Sequence, residues 1–180
     1  ASPDNIARVR ESIWKYNINA TVIDAASPID VDKPELIKGK RVLVVEDGPT
    51  LTHGEMKYGA GIVAAHKFGA GELVDPRPFT VQSISATFKK YPGIGTLLPA
   101  MGYGDRQVKD LETTINRTAC DLVMIATPID LKKIIKINKP SVRVFYSLQE
   151  VGSPNLETVL SAKFGKGRST KKGSSKRSRK

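Results

Sequence analysis

The segment Arg41–Asp47 reads RVLVVED, four consecutive aliphatic residues closed by two carboxylates. A strand that is apolar on both faces has to be covered on both faces, which happens when helices lie above and below a parallel sheet. Asp121–Ala126, DLVMIA, is a second run of the same kind. Between and around these strands the hydrophobic period changes to that of helices. Ile6, Val9, Ile13 and Tyr16 recur at helical spacing after Ser2-Pro3-Asp4, where Ser2 suits a helix cap and Pro3 the first turn. Gly59–Phe68 and Ser83–Tyr91 read as further helices, the second with Val81, Ile84, Phe88 and Tyr91 on one face. A helix capped by Asp105 turns Val108, Leu111 and Ile115 inward. Short strands are expected at Thr21–Ala25, Glu72–Asp75, Thr96–Ala100 and Val142–Leu148, and a helical turn at Pro128–Ile135. Lys33–Lys40 reads as a polar connection, and there is no internal repeat. The alternation gives an α/β fold with a mostly parallel sheet and flanking helices, its domain spanning about residues 40–150.

Charge separates this body from its end. The 180 residues carry 29 basic and 18 acidic side chains, a net of +11. Nine of the basic residues lie between Lys163 and Lys180, where no acidic residue occurs; without them the balance is 20 against 18. Residues 164–180 are expected to form a disordered basic tail, too polar to offset the entropy of ordering. Such a tail attracts nucleic acid nonspecifically, or is a solvated extension; it has no aromatic residue beyond Phe164 to stack on bases. No apolar run approaches the roughly 18–20 residues of a membrane-spanning helix. The first thirty residues lack the layout of a secretory signal. The single cysteine, Cys120, excludes an internal disulfide and a multi-cysteine metal site. A reducing, cytoplasmic setting is the simplest expectation. A start at Ala1 reads as loss of an initiator Met or as a cut from something longer.

Chemistry in a parallel sheet gathers in loops at the carboxyl ends of its strands. The first such loop is Glu46–Gly54. Glu46 and Asp47 are candidate Mg²⁺ ligands, and His53 joins them as a candidate catalytic group. Thr50, Thr52, His53 and Lys57 can donate to phosphate oxygens. Gly48, Gly54, Gly59 and Gly61 allow close approach of a ligand. The opposing reading is a long surface loop with solvated carboxylates. His66, inside a helix, reads as a packing or surface residue. The second loop, Leu98–Asp105, contains Gly102, Gly104 and Tyr103, a candidate for ligand contact; ordinary turn chemistry explains it equally well. In the third, Ala126–Asp130, Thr127 is a candidate phosphate contact. The alternative is that Thr127 caps a short helix and Asp130 favours its positive end. Lys132, Lys133, Lys136 and Lys139 either line an anion site or form a solvated face. The sequence contains no GxxxxGKS/T phosphate loop, GxGxxG, GxSxG, HExxH or paired CxxC. Residues 163–170, KFGKGRST, have the residue types of a phosphate loop in the wrong order.

Larger stretches are more specific than these short motifs. RVLVVEDGPTLTHGEMKYGAGIVAAHKFGA, ELVDPRPF, LPAMGYG, CDLVMIATPIDL and KINKPSVRV together resemble the carboxyl-terminal part of the cyclic 2,3-diphosphoglycerate synthetase family and its related predicted GTPases. The resemblance runs from about Ala1 to Gln149 and leaves out the tail. It implies a longer enzyme with an upstream P-loop, Mg²⁺ and ATP or GTP as cofactors, and closure of an intramolecular phosphoanhydride on a phosphorylated small molecule. It also implies that residues 1–30 are the end of a P-loop NTPase domain, with Ala25, Ala26 and Ser27 resembling the loop over the nucleotide base. Asn138-Lys139-Pro140 does not have the spacing of the base-reading motif. The chain departs from the family in lacking both that motif and the P-loop. The expectation is therefore part of a larger or split enzyme, completed by a P-loop-bearing partner or by self-association. A non-catalytic anion- or nucleotide-binding protein with a nucleic-acid-binding tail is the alternative, and a truncated product inactive by itself is a third.

Overall fold

The computed structural model describes residues 2–53, 56–102 and 104–165, apart from the side chains of Thr50 and His53. Its helices are α1 (Pro3–Tyr16), α2 (Gly48–His53), α3 (Ala60–Lys67), α4 (Gln82–Lys90), α5 (Asp105–Arg117) and α6 (Leu156–Phe164). Its strands are β1 (Ala25–Ala26), β2 (Ile29–Val31), β3 (Arg41–Asp47), β4 (Glu72–Leu73), β5 (Leu98–Ala100), β6 (Leu122–Ala126), β7 (Ser141–Tyr146) and β8 (Gln149–Glu150). Two compact units result, one from Pro28 to Ser147 and one from the segments on either side of it. None of the described helices is long and apolar enough to cross a membrane.

The larger unit has the expected α/β architecture. Its sheet runs β2-β7-β6-β3-β4, with β5 also paired to β3. The β3, β4, β5, β6 and β7 pairings are parallel, and β2 runs antiparallel on β7. Alternation along β3 explains its composition. Val42 and Val44 face one cluster with Leu122, Met124 and α3 residues Ile62, Ala64 and Ala65. Leu43 and Val45 face the other, with Val123, Ile125, Ile84 of α4, and Leu111 and Ile115 of α5. Both faces of the central strands are thus dry, which removes the polar alternation a half-exposed strand would show.

Several boundaries differ from the sequence expectation. Residues 21–24 are outside any strand, and only Ala25–Ala26 of that segment pair, with Gln149–Glu150. Pro28 is followed at once by β2, whose three residues are held by β7. The loop after β3 contains α2, in which Thr52 donates from Oγ1 to the Gly48 carbonyl at 3.0 Å. Asp105 is inside α5, and Gly104 holds the cap position. Phe164 ends α6, so the expected tail loses its first residue to a helix; residues 166–180 lie outside the described residues.

The smaller unit contains α1, the β1–β8 pair and α6. Ser2 caps α1 by accepting from the Asn5 amide, as its sequence suggests. Arg10 pairs with Asp24. The amphipathic pattern of α1 is present, yet none of its residues is buried.

Candidate functional site

The chain leaves β3 and β6 in opposite directions. After Asp47 it turns into α2, toward β5; after Ala126 it turns toward β7. Adjacent parallel strands whose connections diverge leave a crevice outside their carboxyl ends, the usual ligand position in open α/β sheets. Glu46 pairs in register with Ala126, and Asp47 with Ala100 of β5, so the first and third sequence loops meet here.

Glu46 is buried, with 3% of its surface exposed. Its Oε1 accepts the Ile62 amide at 2.9 Å. Burial pushes the carboxyl above its ordinary value, while hydrogen bonds from the Ile62, Gly59 and Gly61 amides pull it back. The carboxylate thereby satisfies amides at the start of α3 that no cap side chain serves. This geometry also explains two glycines. A Cβ on Gly59 would collide with Glu46 Oε2. One on Gly61 would lie 2.5 Å from Val44 Cγ1, 2.9 Å from Ala126 Cβ and 3.0 Å from Glu46 Oε1. Gly59 and Gly61 let α3 approach Glu46 and the sheet. Gly48 likewise sits against β5, where a Cβ would strike Met101 Sδ and come within 2.6 Å of the Ala100 carbonyl.

Asp47, half-buried at the end of β3, is the next carboxylate outward. Thr52 on α2 and exposed Lys57 share the wall of a cleft of about 350 Å³ with Lys90 and Tyr91. The Lys57 carbonyl accepts the Gly95 amide at 3.1 Å, fixing that wall by its backbone. On the β6 side, buried Thr127 donates from Oγ1 to the Ile129 carbonyl at 2.6 Å. The cap of the following turn is Asp130, which accepts the Lys132 amide at 3.2 Å; Thr127 does not have that role. Lys139 is engaged by backbone, donating to the Asn116 carbonyl at the end of α5 at 2.6 Å. His66 is exposed. Burial raises the Cys120 thiol pKa, which favours the protonated form.

Arg143 of β7 has a role at this site that no sequence motif marks. Its Nη2 donates to the Pro128 carbonyl at 2.9 Å, and Nη1 lies 3.9 Å from Asp130 Oδ2. Its Nε is buried without a hydrogen-bond partner among the described residues. Arg143 therefore holds the Thr127–Asp130 turn in place. The available signal was a cation between two buried valines, Val142 and Val144, where alternation points it to the other face.

Ala25, Ala26 and Ser27 are exposed and belong to the smaller unit. Thr50 and His53 lie on α2, their side chains outside the description; Gly54 and Tyr103 lie outside the described residues altogether. Among the described residues no three metal-ligating side chains converge. Glu46 is turned toward backbone amides, with Asp47 the next carboxylate along β3.

The chain is similar to a protein named Arginine synthetase ArcE from Thermococcus kodakarensis, with 66% identity over 160 residues. The match covers 89% of this chain and 36% of that protein's length. No protein-family model matches the chain. No solved structure matches it. The identity makes the chain a homologue of part of a protein that is a synthetase by name.

Proposed function

We propose that this chain is a carboxyl-terminal portion of a synthetase that couples nucleoside triphosphate cleavage to condensation by phosphoryl transfer. The observation that carries the reading is the 66% identity to a named synthetase more than twice as long as the matched region. The sequence has no GxxxxGKS/T loop. Nucleotide and Mg²⁺ are accordingly assigned to a P-loop-bearing part outside this sequence, in the same polypeptide or in a partner. Phosphoryl transfer depends on positioning and charge neutralisation more than on covalent help from the protein. The β3–β6 crevice supplies the positioning here. Asp47 and Thr127 flank the approach to the substrate, Glu46 secures α3 beneath it, and Arg143 fixes the Thr127–Asp130 turn; Thr52 and Lys57 border the neighbouring cleft. The relative's name favours arginine as the product over cyclic 2,3-diphosphoglycerate, the product implied by the sequence resemblance.

The test is a titration of the isotopically labelled chain followed by amide resonances. Arginine is expected to shift the amides of Asp47, Thr52 and Thr127, and Mg-ATP or Mg-GTP alone to leave them in place. If neither arginine nor 2,3-diphosphoglycerate moves these amides, the crevice is not the substrate site and the reading fails.

A further inference from the structure

A second cleft lies in the larger unit, between the start of α4 and one face of α5. It encloses about 650 Å³ and is lined by Gln82, Arg106, Lys109, Asp110, Thr113 and Arg117, with Val81 at its edge. Three of these are cations. Arg106, Lys109, Thr113 and Arg117 are three or four residues apart, so they share one stripe of α5. From Arg106 to Arg117 the stripe is about 16 Å long.

The one carboxylate in the lining, Asp110, offsets part of that charge, and its hydrogen bonds go to α4 rather than to the cations. Asp110 is only 7% exposed, and its Oδ2 accepts both the Ser83 amide at 3.0 Å and the Ser83 hydroxyl at 2.6 Å. It is committed to the first turn of α4. Those bonds, the Ser83 hydroxyl foremost, hold its pKa below the ordinary carboxylate range, so it caps α4 as an anion. Arg106 is held from the other side, with Nε and Nη2 donating to Gln82 Oε1 at 3.1 and 2.5 Å. One guanidinium is thus already oriented across the cleft mouth. Lys109 and Arg117 make no ion pair among the described residues. The amino end of α4 borders the same space, its positive end met by the Asp110 carboxylate.

The geometry points to a binding site in this cleft for a small molecule carrying two or more phosphoryl groups, separate from the β3–β6 crevice. The volume suits a small ligand, since such pockets run from roughly 300 to 1,000 Å³. The spread of cations suits several phosphoryl groups better than one. The lining contains no aromatic side chain, which disfavours a single-stranded nucleic acid that would need stacking platforms. Occupancy would bridge α4 to α5 on the sheet face opposite α3.

The test uses the full labelled chain and inorganic tripolyphosphate as probe. Site-resolved amide shifts separate this cleft from charge attraction elsewhere in a basic protein. Tripolyphosphate is expected to shift Gln82, Ser83 and Thr113 saturably. The double variant Lys109→Gln, Arg117→Gln is expected to weaken that binding by about tenfold or more, the scale of losing charge-assisted hydrogen bonds. The Asp110–Ser83 bonds are untouched, so the variant's ligand-free Ser83 resonance checks that the cleft is intact. Absence of shifts at these three amides overturns the proposal. Equal affinity in the double variant overturns it too. So does a short RNA that moves the same amides at lower concentration than tripolyphosphate. Failure of arginine to bind the β3–β6 crevice would not touch this result, because the two sets of amides are distinct.

Discussion

Replacing Gly61 by alanine tests how α3 is seated on the sheet. The new Cβ would stand 2.5 Å from Val44 Cγ1 and 2.9 Å from Ala126 Cβ. Carbon atoms pack at about 3.5–4.0 Å, so α3 has to retreat by about 1 Å. Val44 cannot easily yield, because it is β-branched and buried in a central strand. The retreat stretches the 2.9 Å bond from the Ile62 amide to Glu46 Oε1 beyond useful length. Overpacking costs about 1–3 kcal/mol, and a weakened hydrogen bond to a buried charge about 1.5–3 kcal/mol. Against this stands a gain of about 1 kcal/mol from alanine over glycine in a helix. The expected net loss is about 1.5–5 kcal/mol, read from urea unfolding followed by circular dichroism. Gly93→Ala is the control, since its Cβ would meet nothing within 4 Å. It is expected to stay within about 0.5 kcal/mol of the parent. A Gly61→Ala protein as stable as the parent, or a Gly93→Ala protein equally damaged, would refute the close seating of α3 on Glu46.

Other expectations follow from the same contacts. Glu46 in the folded chain titrates above its unfolded value of 4.5, so the folded state holds that proton longer. Stability therefore falls as pH rises from 4.5 through the folded value, and Glu46→Gln should flatten this limb in unfolding curves taken across pH. Asp110 titrates below 3.8 when folded. Its contribution is complete above 3.8 and disappears as pH falls through the folded value, so Asp110→Ala should remove an acid-limb transition seen in the parent. Ile84→Ala, which empties a fully buried position between α4 and the sheet, should cost about 2–5 kcal/mol in urea unfolding. Arg143→Met should leave β7 paired while broadening the Thr127 and Ile129 amide resonances, because the turn loses its anchor at the Pro128 carbonyl.

What the sequence made legible follows burial. RVLVVED and DLVMIA announced themselves because both faces of β3 and β6 are covered, and a run of aliphatic residues has no other stable place in a chain of this size. The helix before them was readable from its cap, Ser2 and Pro3, and a four-residue apolar stripe, although none of its residues is buried. Elements stabilised by their neighbours were not readable. The three residues of β2 carry too little pattern, and their pairing with β7 depends on contacts more than a hundred positions away. In α2 the polar, glycine-led GPTLTH suggested a loop, although proline near a helix start was a usable sign. The candidate site shows the same division. The sequence singled out the carboxylates that end β3 and the glycines that follow it. Their arrangement depended on tertiary structure, in which Gly59 and Gly61 make room for the Glu46 carboxylate beneath α3. Asp110 and Arg143 were hidden for a related reason, each being a charged residue whose partner comes from a distant segment.

We propose that the β3–β6 crevice receives the substrate of a synthetase. Calorimetric titration of the chain with arginine, repeated with the Asp47→Asn variant and with 2,3-diphosphoglycerate, addresses it directly. Saturable heat with arginine that is lost in Asp47→Asn is the predicted result. Absence of heat with both ligands, or heat unchanged by Asp47→Asn, would contradict it.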